Sequence, residues 1–281
     1  MFILSKNINF GIYIANHGIS AEPQDYIDLA IAAEENNWNG FFLWDHIHSD
    51  EKHDVLDPFI ILSAIASNTK SLKIGTMITP LARRRPWQIA RQVTTLDRLS
   101  NGRFILGVGL GDPADFDPFF EDSNPKIRKE KLEESLVILQ KLWKGELFSF
   151  SGKHFNLKDV IFLPKPKQET IPIWVGGEWP NKGPFRRAAK FQGVFPLKAG
   201  GEEALLEPED IIEIKNFIST YRNVKNDMDI AQIIVSSINK DENDWINAYI
   251  NAGITWGMEC IWPGRISVKD MFALIESGPP L

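Results

Sequence analysis

LKIGTMITPLARRRPWQIARQVTTLDRLSNGRFILGV, residues 72–108, contains one complete strand–helix–strand unit. Residues 72–79 form a short, mostly apolar run of strand length. Pro86 then opens a helix at its first turn, where a missing N–H costs nothing. Ile89, Ala90, Val93, Leu96 and Leu99 recur at helical spacing, and Ser100-Asn101-Gly102 ends the helix. Residues 104–108 form the next apolar run.

The same alternation extends in both directions. Strands are expected at 8–14, 40–44, 72–79, 104–108, 171–175, 193–196, 230–236 and 257–262. Each is followed by a helix, at 23–37, 57–68, 86–99, 125–144, 182–191, 208–221, 241–251 and 267–276. Eight strand–helix pairs in strict order predict a closed (β/α)8 barrel, a TIM barrel, in one domain spanning 1–281. An open doubly wound sheet commonly carries a glycine fingerprint after its first strand, but here Ala15-Asn16-His17-Gly18 stands there. The segment 146–170 interrupts the rhythm between the fourth helix and the fifth strand, and reads as a hairpin followed by an extended stretch.

Composition narrows the function classes. The 281 residues carry a net charge of −6 and have no basic stripe, which argues against nucleic acid. No apolar run is long enough to span a membrane. Cys260 is the only cysteine, so no intrachain disulfide or thiolate cluster can form, as suits a cytoplasmic protein.

In such a barrel the C-terminal strand ends carry the chemistry. They bring His17; Trp44, Asp45, His46 and His48; Thr76, Met77 and Ile78; Gly109 and Asp112; Gly176 and Gly177; Phe195 and Lys198; and Trp262 to one rim. Two chemistries compete there. His46-x-His48, with His17, His53, Asp54 and Asp57 nearby, suggests a metal-dependent hydrolase, but later strands supply no matching ligands. Flat apolar walls from Trp44, Met77, Ile78 and Trp262 suggest instead an aromatic redox cofactor. Gly176-Gly177 before a helix would suit its phosphate.

Trp44-Asp45-His46, the run from Gly75 to Trp87, the run from Thr95 to Gly111, and Pro172-Ile173-Trp174-Val175-Gly176-Gly177 resemble the bacterial luciferase-like monooxygenases. The resemblance covers nearly the whole chain. It implies a (β/α)8 barrel that acts on a small-molecule substrate as an oxidoreductase. FMN, or the deazaflavin coenzyme F-420, would sit at the rim. On this analogy His46 is the proton donor or acceptor, Asp45 orients it, and Asp112 is a second acid–base group. Trp44, Thr76, Met77, Ile78, Gly109 and Phe195 would lie around the ring. Gly176, Gly177 and Lys198 would hold the phosphate, and His17, His48 and Trp262 would line the substrate pocket; no metal is implied. The run from Gly75 to Pro80 is one residue shorter than in deazaflavin members, and Arg83 to Trp87 is similar to a flavin-dependent branch. The expectation is therefore FMN with oxygen or hydride transfer, with F-420-dependent hydride transfer as the alternative. Family members also imply a homodimer and a separate flavin reductase as partners. A barrel that keeps the pocket but has lost its chemistry is a further reading.

Overall fold

The computed structural model describes residues 8–49, 51–200, 204–223, 227–236 and 245–280. Strands β1 (Asn9–Ile14), β2 (Gly40–Leu43), β3 (Lys73–Pro80), β4 (Phe104–Gly109), β7 (Ile173–Trp179), β8 (Gly193–Lys198), β9 (Asp229–Ile234) and β10 (Trp256–Ile261) close into a barrel in the order β1-β10-β9-β8-β7-β4-β3-β2. Every neighbouring pair is parallel. Parallel strands need crossovers, and helices α1 (Pro23–Glu35), α2 (Pro58–Asn68), α3 (Pro86–Leu99), α4 (Pro125–Lys144), α5 (Lys182–Ala188), α6 (Pro208–Ser219), α7 (Trp245–Ala252) and α8 (Val268–Glu276) provide them. The expected (β/α)8 barrel is the observed fold. The expected helix start at Asp241 lies outside the described residues.

Local chemistry explains the helix starts. Pro23, Pro58, Pro86, Pro125 and Pro208 occupy first-turn positions, where their fixed φ favours the helix. Asp57 caps α2 by accepting the Ile60 N–H at 3.0 Å. The segment 146–170 forms the hairpin β5 (Phe148–Ser151) and β6 (Asn156–Val160), outside the barrel sheet. Glu134 of α4 anchors it by accepting the backbone N–H groups of Lys153 at 2.7 Å and Phe155 at 3.0 Å.

Large aromatics plug the N-terminal half of the barrel. Phe42 stacks on Trp174 at 5.5 Å, and Trp174 meets Trp256 edge-on at 5.3 Å. Gly193 makes room for them, since a Cβ there would stand 2.2 Å from the Trp174 ring. The filled floor leaves the C-terminal rim as the face open to a ligand.

One buried cation ties the outer layer to the sheet. Arg103, just before β4, donates to the carbonyls of Ala66, Thr69, Leu72 and Ser100 and to the Thr69 hydroxyl, at 2.7–2.9 Å. It thereby satisfies carbonyls that the end of α2 leaves open. Arg103→Met should lower the unfolding free energy by about 3 kcal/mol, because several charge-assisted bonds vanish and their acceptors stay buried. Urea denaturation measures this; a loss below about 0.5 kcal/mol would show that the acceptors find other partners.

Candidate active site

The rim is built where β1, β2, β3, β4 and β7 end. Between β3 and β4 the pairing runs Thr76↔Leu106 and then Thr79↔Val108, so β3 carries an extra residue, a bulge. The Met77–Ile78 peptide within it is cis. A bulge re-aims side chains. Met77 is buried, and a Cβ on Gly107 would meet its sulfur at 2.8 Å. The Ile78 side chain fills the space over two other glycines: a Cβ would lie 2.0 Å from Ile78 Cδ1 at Gly109, and 2.8 Å from Cγ2 at Gly176. Thr79 donates its hydroxyl hydrogen to Thr76 Oγ1 at 2.8 Å, which closes the bulge from beneath. The bulge forms within the short run from Gly75 to Pro80, so that spacing is no argument against a deazaflavin.

The placement expected for Gly176-Gly177, just before a helix, needs correction. Both residues lie inside β7, paired with Phe195 and Pro196 of β8, rather than at a helix start. Helix α5 begins only at Lys182, capped by Asn181. Gly177 faces that helix, where a Cβ would stand 2.2 Å from Pro184. Gly176 faces Ile78. These glycines serve strand–helix and strand–strand approach. Lys198 is 40% exposed and its Nζ lies 3.7 Å from Asp210 of α6.

An aromatic wall stands on the β1, β2 and β8 side. Tyr13 packs on Trp44 at 5.5 Å and edge-on to Phe195 at 5.0 Å. Trp44 is 5.7 Å from His46, and His17 is 5.0 Å from His46. The buried Trp44 Nε1 and His17 Nδ1 have no hydrogen-bond partner, a state that native interiors rarely leave unanswered. Fully buried Asn16 holds this wall in place. Its amide donates to the carbonyls of His46 and Leu56 at 2.8 Å, and its oxygen accepts the His46 N–H at 3.2 Å.

The carboxylates take other roles than expected. Asp45 does not orient His46. Its Oδ1 is gripped by Arg83 Nη2 at 2.9 Å and Arg84 Nη2 at 2.6 Å. Asp112 is exposed and accepts the Ala114 N–H at 2.9 Å, which starts a 3-10 turn. That turn carries Asp115 back under the rim, where its Oδ2 lies 3.0 Å from His46 Nδ1. Its Oδ1 accepts the Ile47 N–H at 2.9 Å and meets Arg83 Nη1 at 3.3 Å. Arg128 of α4 pins the same loop by donating to Gly111 O at 2.6 Å. Sequence reasoning missed Asp115. Its only signal is the Asp-Pro step at Asp112, which marks a turn that returns the chain three residues later. His48 lies edge-on to Phe119 at 6.0 Å, and Trp262 packs under the Arg265 guanidinium at 5.1 Å.

Protonation follows from these contacts. Burial works to lower the His46 pKa, but the hydrogen bond and charge of Asp115, with Asp112 behind them, raise it overall. Burial would raise Asp115, yet His46, the Ile47 N–H and Arg83 hold it below the usual carboxylate range. Burial, aided by His46 and His53, lowers His17 from 6.5 to about 4. His17 is thus held neutral down to about 4, beside a His46 that keeps its proton to higher pH than an ordinary imidazole. The rim fits a flat aromatic ring: Ile78 offers an apolar platform, Trp44 and His17 offer unanswered polar atoms, and His46 has Nε2 left for a ligand. Among the described residues, no three His, Cys, Asp or Glu side chains are grouped to hold a metal ion, and no helix is long and apolar enough to cross a membrane.

Comparison with known proteins places this arrangement in context. A family model described as luciferase-like monooxygenase matches residues 8–206. An F420-dependent glucose-6-phosphate dehydrogenase of Microbacterium testaceum is 26% identical over 225 residues, covering 79% of this chain and 66% of that protein. One from Nakamurella multipartita is 30% identical over 162 residues, covering 56% and 48%. The chain thus spans about half to two thirds of the length of these curated relatives. Among solved structures, an F420-dependent secondary alcohol dehydrogenase in complex with an F420-acetone adduct superposes with a TM-score of 0.80 at 16% identity, covering 97% and 98% of the two chains. The oxygenating constituent of 3,6-diketocamphane monooxygenase from Pseudomonas putida, in complex with FMN, gives 0.66 at 17% identity, covering 85% and 70%. These likenesses establish the shared barrel.

The two imidazoles predict opposite pH effects on stability. His17 stays neutral in the fold down to about 4, whereas in the unfolded chain it takes up its proton near 6.5. Acidification between those values therefore favours unfolding. His46 is raised, so its contribution is full below the ordinary imidazole value and is lost as pH rises through the folded one. His17→Gln should accordingly lose less stability than the wild type on going from pH 6.5 to 4. Urea unfolding across that window checks this; identical slopes for both proteins would contradict the neutral His17.

Proposed function

The chain belongs to the luciferase-like monooxygenase family, and from that premise we propose that it is a deazaflavin-dependent oxidoreductase that transfers hydride between the coenzyme and a small alcohol or carbonyl compound. One observation carries the reading. His46 has Nδ1 3.0 Å from a buried carboxylate and stands with Trp44 and His17 after β2, the strand paired with the β3 that carries Ile78. That is the equipment for moving a proton at the edge of a bound ring. The names of the curated relatives described above, both F420-dependent dehydrogenases, support deazaflavin, and dehydrogenase chemistry supports a hydroxyl-bearing or carbonyl substrate. The FMN preference drawn from sequence spacing gives way, because the bulge forms despite the shorter run. With it goes the reason to expect a separate flavin reductase.

A deazaflavin, when bound, supplies a ring carbon that accepts or gives hydride. The chain's own residues do the rest. Ile78, seated over Gly109 and Gly176, would back one face of the ring, and Trp44 and Phe195 would wall it. His46 takes the substrate hydroxyl proton on Nε2 as the neighbouring C–H bond breaks, and returns it in the reverse direction. The neutral neighbour His17 leaves His46 as the proton carrier. The aromatic wall excludes water, which strengthens each of these contacts.

Purified protein titrated with the deazaflavin coenzyme should quench its fluorescence saturably, and FMN should bind more weakly. His46→Ala should keep coenzyme affinity within about threefold and lose turnover by about 10²–10⁴-fold. Tighter binding of FMN would overturn the deazaflavin assignment. Unimpaired turnover of His46→Ala would remove its proton role.

A further inference from the structure

His46 has three carboxylates near it, and only one touches its ring. Asp45 precedes it in sequence, but its Oδ1 is taken by two guanidinium groups at 2.6 and 2.9 Å. Asp112 is exposed and caps its own turn. Asp115 is 2% exposed, and its oxygens divide their work: Oδ2 faces His46 Nδ1 at 3.0 Å, while Oδ1 accepts Ile47 N–H at 2.9 Å and meets Arg83 Nη1 at 3.3 Å.

We propose that Asp115 is the positioning residue of His46, fixing the imidazole by accepting Nδ1–H so that Nε2 is committed to the substrate side. This rests on the reading of His46 as the proton carrier. The carboxylate is gripped from three directions, by the turn after β2, by Arg83 after β3, and by its own turn after β4. Such a group holds one rotamer and transmits it to the ring it touches. Arg83 completes the grip, because its other nitrogen, Nη2, donates to both the carbonyl oxygen and the carboxylate of Asp45, at 2.8 and 2.9 Å. The imidazole, its carboxylate and the arginine are therefore one unit assembled from three strand ends. The charged and titratable groups that face His46 are Asp115 and Asp112 from the β4 side, Arg83 from the β3 side and His17 from the β1 side. Of these, only Asp115 stands within hydrogen-bond distance of the ring, at 3.0 Å.

Ring resonances of His46, followed by NMR from pH 4 to 9 in the protein without coenzyme, test the assignment independently of turnover. Asp115→Asn should lower the His46 midpoint by about one unit or more. It should also move the His46-dependent limb of kcat/KM to lower pH in step, with kcat reduced. Asp115→Glu should restore most of the midpoint, and Asp112→Asn should shift it much less. The wild type gives a reading that needs no variant: above the midpoint, long-range ¹H–¹⁵N spectra should show the neutral ring protonated on Nδ1. A ring protonated on Nε2, or an unmoved midpoint in folded Asp115→Asn, overturns the proposal. If His46 titrates as described while His46→Ala turns over normally, the pairing stands as geometry, but the positioning role falls along with the proton role of His46.

Discussion

Arg83 stands between two buried carboxylates that arrive from different strand ends. Asp45 follows β2, Asp115 follows β4, and the guanidinium that follows β3 reaches both, at 2.9 and 3.3 Å. The side chains are 5%, 1% and 2% exposed, so water does little to screen or solvate them. A charge in such surroundings is expensive unless it is paired and hydrogen-bonded. The pairing therefore acts as a geometric constraint. The loops after β2 and β4 take the one arrangement in which both carboxylates meet the arginine, and His46 and Ile47 are set by that arrangement.

A second constraint acts at shorter range. The bulge in β3 turns Ile78 into the barrel mouth, and it fits only because β4 and β7 present glycine at Gly109 and Gly176. Phe42, Trp174 and Trp256 fill the barrel interior. The polar unit at the edge and the apolar floor come from adjacent strand ends. That is how a barrel combines groups distant in sequence into one site.

Much of the fold was legible in the chain. The unit at 72–108 shows both periodicities within 37 residues, and its repetition leaves few architectures open. Helix starts were marked by proline and matched closely for α3 and α4. Strand ends were less legible. β7 runs to Trp179, beyond the expected 171–175, because parallel pairing with β8 continues through the glycines. That extension places Gly176 and Gly177 inside a strand rather than just before a helix. The site was half legible. Trp44 and His46 pack 5.7 Å apart after β2, and Ile78 lies on the neighbouring β3. The partner of His46 was not legible, because sequence neighbours point to opposite sides of a strand end and the true partner lies 69 positions away. Of the three consecutive arginines after β3, Arg83 and Arg84 are occupied by Asp45.

The central claim is that the coenzyme ring rests on Ile78, at the rim that His46 borders. The dissociation constant of the deazaflavin coenzyme for Ile78→Ala, set beside the wild type, tests it most directly. Loss of an isoleucine face from a buried ring contact is worth about 1.5–3 kcal/mol. The account predicts binding weakened by roughly 10- to 100-fold in a protein that remains folded by circular dichroism. Unchanged affinity in the folded variant would contradict it and place the ring elsewhere.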